Sequence, residues 1–169
     1  MSPEPHSADD GRNETELERL DRNLVELLQE VRVVQTGVQI LFAFLLTAPL
    51  TSLFPHLDGL RRAEYFVTLS CAAIAATLLI APTAYHRLLF RAGDKEFLVI
   101  VANRLTLAGL VFVGLSMVGA MIFVADVLFP VWAVVVIGVL AANTCIGLWA
   151  ALPLARRREL RRRAARPSR

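Results

Sequence analysis

Four stretches of the chain, about Val33–Phe54, Tyr65–Tyr85, Leu105–Phe129 and Val131–Ala155, are apolar almost without interruption. Each matches the roughly 20 residues needed to cross a ~30 Å hydrocarbon core. Hydrocarbon offers the backbone no hydrogen-bond partner, so stretches of this length must close their bonds internally as helices; barrel strands would be about 10 residues long and alternating. The pattern therefore predicts an all-α, four-helix transmembrane bundle. A hydrophobic content of 56% and a mean hydropathy of +0.54 agree, because a soluble domain carries roughly 45–50% apolar residues.

The basic residues orient the bundle. Arg12, Arg19, Arg22 and Arg32 precede the first span; Arg87, Arg91, Lys95 and Arg104 lie between the second and third; eight arginines fall from Arg156 to Arg169. Only Arg61 and Arg62 fall on the opposite side. Positive residues in short loops mark the cytoplasm, so both termini and the second loop are expected inside. The excess of Arg over Lys points to a GC-rich bacterial genome. With no basic region followed by an apolar core at Met1–Asp10, no cleaved signal peptide is expected and the first span serves as its own insertion signal.

The remaining organisation follows from composition. Residues 1–12 are polar and are expected to be disordered. Residues 13–32 are expected to form an amphipathic cytoplasmic helix, with Asn13 or Thr15 as its cap, continuous with the first span. Leu17, Leu20, Leu24, Leu27, Val31 and Val34 recur there at spacings of three and four. That stripe suits packing on the membrane or on the bundle itself, and a heptad seam for a partner is the alternative. Residues 33–155 form the membrane domain. The tail, 156–169, is a polybasic segment expected to bind anionic lipid headgroups. It lacks interleaved aromatic side chains for base stacking, so nucleic acid is an unlikely partner.

Ala48-Pro49 and Ala81-Pro82 end similar apolar runs, and prolines there require adjacent helices or water to serve the freed carbonyls. Gly109, Gly114 and Gly119, with Gly138, Ala142 and Gly147, let helices approach closely, within one chain or in a homo-oligomer.

Polar residues converge at the inner interface. Arg32, Gln35, Thr36 and Gln39 share one face of the first helix, with Gln29 one turn earlier. His86, Arg87, Asn103 and Arg104 are expected at the same depth. Glu26 and Glu30, one turn apart, are expected to pair with Arg87, Lys95 or Arg104. This cluster is either a structural clamp or a ligand site. Asn143 is the strongly polar side chain near the midplane, where an interhelical hydrogen bond is expected. Asp126 falls near the outer surface and is expected to be solvated. Cys71 and Cys145 read as small buried hydrophobes, and the three histidines share no metal-binding spacing. No cofactor is implied, and no nucleophile has a base and an orienting group in reach, so an enzyme is not expected.

The string from Asn23 to Thr47, NLVELLQEVRVVQTGVQILFAFLLT, with Ala81-Pro-Thr-Ala-Tyr-His-Arg87 and Asn103-Arg104, resembles a family of small actinobacterial membrane proteins known only as a domain of unknown function. The resemblance covers roughly residues 17–130. It implies a four-span protein of the bacterial cell membrane without an assigned activity, and some members carry an automated sodium:proton antiporter label. Antiporters hold their ion near the midplane, usually beside an ionisable residue, and no carboxylate is expected there. The leading expectation is a non-enzymatic interaction or membrane-organising protein; the alternative is a small oligomeric ion or solute transporter.

Overall fold

The computed structural model describes residues 16–52, 54–89 and 95–164. They form α1 (Glu16–Thr47), α2 (Gly59–Leu89), α3 (Lys95–Leu128), α4 (Val131–Ile146) and α5 (Leu152–Ala164). One π-helical turn, Gly147–Ala151, joins α4 to α5. The protein is all-helical, with four helical segments long and apolar enough to cross a membrane: Val25–Leu50, Gly59–Tyr85, Phe97–Leu128 and Val131–Arg162. The expected disorder of residues 1–12 lies outside the described residues.

Several helices exceed the apolar runs that announced them. At 1.5 Å per residue, the 32 residues of α1 extend about 48 Å, well beyond a ~30 Å core. α3 begins at Lys95 rather than near Leu105, because no proline or glycine interrupts residues 95–105 and helix propensity does not stop where hydrophobicity does. α2 begins at Gly59, where Asp58 caps it: the Arg61 amide donates to Asp58 Oδ1 at 2.9 Å. The tail also continues as helix, since Leu, Ala, Arg and Glu are strong helix formers. Pro153 removes a donor from the preceding turn, and there the Leu152 amide reaches back to the carbonyl of Gly147, the five-residue bond of a π turn.

α3 is the hub and packs against α1, α2 and α4. α1 turns Val31, Val38 and Leu45, each seven residues from the next, into the core. One cluster joins Val31 and Val38 to Ala75, Leu79 and Val113, with Leu27 and Val34 half-buried against it. The described part of the apolar stripe on α1 therefore packs on its own bundle. A second cluster joins Leu45, Tyr65 and Ala72, and the Tyr65 ring lies 5.0 Å from Phe54 and 5.6 Å from Phe123 between centroids.

Close approach of α2 and α3 depends on glycine. A Cβ at Gly109 would lie 2.9 Å from the Leu79 side chain, and one at Gly119 would collide with the Thr68 hydroxyl. Gly114 faces the other way, toward the Trp149 ring on the segment after α4. The three evenly spaced glycines thus serve two different helix contacts.

Candidate functional site

The polar residues of α1 do not act as one group. Gln35 alone turns inward, and its Nε2 donates to the Leu79 carbonyl on α2 at 2.9 Å. Thr36 bonds back to the Arg32 carbonyl of its own helix at 3.1 Å. Gln29, Glu30, Arg32 and Gln39 are exposed. The reason is angular: the core stripe through Val31, Val38 and Leu45 leaves the helix positions beside it on the outer face.

Glu26 is exposed and pairs with Arg22, one turn before it, at 3.8 Å. Among the described residues no ion pair joins Glu26 or Glu30 to Arg87 or Arg104, and the side chain of Lys95 lies outside them. Arg87, Asn103 and Arg104 are exposed on α2 and α3; the side chain of His86 also lies outside the described residues. Of the expected clamp, the pairs with Arg87 and Arg104 are not made, and Glu26 pairs instead within α1, which needs no tertiary contact to form.

Two features place polar chemistry where the expectation was weaker. At the other end of the bundle, Arg61 on α2 clasps Asp126 on α3: Nε donates to Oδ2 at 2.5 Å and Nη2 donates to the Asp126 carbonyl at 3.2 Å. Asp126, expected to be solvated, is instead only about a quarter exposed, with a side-chain exposure of 23%. The signal lay in the orientation count, which put Arg61 and Asp126 on the same membrane side.

Asn143 is the second feature. It is exposed and donates from Nδ2 to the Val139 carbonyl of its own helix at 2.8 Å. The expected bond to another helix of the bundle is not made, because α4 turns Ala133 and Gly138 toward its neighbours. Inside the bundle, the wholly buried Ser116 has an Oγ with no partner among the described residues.

An apolar crevice of about 490 Å³ runs between α3 and the α4–α5 segment, with Leu107, Gly114, Val118, Cys145 and Trp149 among its lining. It holds no titratable pair and no hydroxyl nucleophile. Among the described residues no three His, Cys, Asp or Glu side chains gather in a metal-binding group.

A family model described as "Family of unknown function (DUF6328)" matches residues 13–153. No curated protein and no solved structure matches the chain.

Proposed function

This chain belongs to the DUF6328 family of unknown function, and on that premise we propose that it is a non-enzymatic, multi-pass protein of the bacterial plasma membrane. Both termini lie in the cytoplasm. There the outer face of α1 and the arginines of α5 engage anionic lipid headgroups or a membrane-protein partner. The observation that carries this reading is what the bundle leaves unused. Gln29, Glu30, Arg32 and Gln39 on α1 stay exposed, as do Arg157, Arg158, Arg161 and Arg162 on α5. Each basic residue near an anionic leaflet contributes on the order of 1 kcal/mol to that attraction.

The polar cluster is, on this reading, a docking face at the cytoplasmic interface more than a ligand cavity. Photo-crosslinking in native membranes tests it, with probes at Gln29 and Gln39 and a version lacking the arginine tail. Adducts that depend on the α1 face or on the tail are expected. Recovery of the protein alone, with face and tail both dispensable for its retention and distribution, overturns the proposal.

A small oligomeric transporter of sodium or protons is less well supported. Asp126, the acid within the third span, is already engaged by Arg61. Reconstituted vesicles that carry sodium or proton flux would favour transport over docking.

A further inference from the structure

The outer face of α4 carries a feature that the bundle does not absorb. Asn143 stands about 12 residues into the span that starts at Val131, roughly 18 Å along the helix and so near the middle of a ~30 Å core. It is exposed, and beyond its bond to Val139 its Oδ1 and second amide hydrogen have no partner among the described residues. Hydrocarbon cannot supply that partner. Polar side chains at this depth face a protein neighbour or a watery cavity, and Asn143 faces neither within its own chain.

The residues around it form a seam. Trp132, Val136, Val139, Asn143 and Ile146 follow one another at spacings of four, three, four and three, and the four apolar ones are each half or more exposed. This is the a/d pattern of a two-helix coiled coil, with Val136 and Asn143 at the a positions. A single polar Asn at an a position fixes the register and the oligomeric state of such a pairing.

Resting on the membrane-spanning reading above, we propose that α4 is a homodimer interface in which Asn143 of one copy hydrogen-bonds Asn143 of a second copy. Two copies inserted the same way across the membrane present parallel α4 helices. A two-fold axis along the membrane normal then sets like residues against each other. An amide is self-complementary in that arrangement: Oδ1 of each copy accepts from Nδ2 of the other. A lipid chain would leave both amides unmet, which is why a second copy is the occupant.

The test uses the full-length protein in native membranes, with Cys71 and Cys145 replaced by serine and single cysteines introduced. Oxidative crosslinking is expected to give homodimers with Val136→Cys, Val139→Cys and Ile146→Cys. Thr144→Cys and Leu148→Cys, exposed but off the seam, should give few. In single-molecule photobleaching, Asn143→Val should weaken the dimer by about three- to twentyfold, the range for an interhelical hydrogen bond, whereas Asn143→Gln should retain most of it. The crosslinking pattern needs no change at position 143, so it stands even where Asn143→Val folds poorly. Equal crosslinking on and off the seam overturns the dimer, as does a seam adduct with the mass of another protein. Unchanged association in a folded Asn143→Val protein also overturns it. Seam cysteines that stay monomeric in a protein resisting alkaline carbonate overturn the dimer alone; release by carbonate overturns the membrane reading with it.

Discussion

The hydroxyl of Tyr65 on α2 donates to the carbonyl of Leu45 on α1 at 2.8 Å, and Leu45 stands four residues before Pro49. In a helix that carbonyl would accept from the amide of residue 49, and proline has none. Tyr65 supplies the missing donor from the neighbouring helix, in a site enclosed by Phe54 and Phe123. Tyr65→Phe should therefore lower stability by about 0.6–1.7 kcal/mol, read as a fall in Tm in detergent. The loss should shrink when Pro49→Ala restores the amide of residue 49. Equal losses in both backgrounds would show that the hydroxyl does not serve the proline gap.

A bond in the opposite direction runs from Gln35 on α1 to the Leu79 carbonyl on α2. Buried Pro82 leaves the adjacent Leu78 carbonyl, not that of Leu79, without its helical donor, so the Gln35 bond is an interhelical link beside the proline turn. Gln35→Leu should cost about 1 kcal/mol, while exposed Gln39→Leu, one turn on, should change little. Thermal unfolding of the two variants side by side decides the point.

Arg61 and Asp126 join the start of α2 to the end of α3. Both side chains are partly exposed, so water and salt screen the pair, and a double-mutant cycle of Arg61→Gln and Asp126→Asn should give only the weak coupling of a surface ion pair. The coupling should decline as salt is raised. A salt-independent value of several kcal/mol would instead mean an enclosed pair.

Gly119→Ala should be disruptive, because its Cβ collides with the Thr68 hydroxyl and would lie 3.1 Å from the Thr68 methyl. Forcing a methyl group into such a contact costs about 1–3 kcal/mol. Thr68→Ala removes both obstructing atoms, so the double variant should be more stable than the sum of the single losses. Gly114→Ala, whose Cβ would meet the Trp149 ring at an ordinary 3.6 Å, should be nearly neutral.

The comparison of Gln35 with Gln39 shows how much of the candidate site was legible. Both were readable as members of one polar face from spacings of three and four, yet the bundle takes in only Gln35. Periodicity fixes which residues share a side of a helix. It does not fix which part of that side meets a neighbour, because that depends on the rotation of α1 about its axis, set by Val31, Val38 and Leu45 fitting against α2 and α3. For the same reason an interhelical bond was foreseeable for Asn143, whereas its position on the outer face of α4 was not.

By itself the sequence determined four helical segments long and apolar enough to span a membrane. It did so because hydrocarbon penalises unpaired backbone groups so heavily that length and hydrophobicity leave almost no other solution. It also marked Pro49 and Pro82 as places where a carbonyl would need outside help. Tertiary structure alone decided that Tyr65 gives that help beside Pro49, that Gln35 bonds the Leu79 carbonyl next to the Pro82 turn, and that Arg61 reaches Asp126 over 65 residues of chain. These pairings depend on the rotation and axial offset of packed helices. Those quantities arise from the fit of small residues such as Gly109 and Gly119 against a neighbouring surface, and hydropathy along a single chain does not contain them.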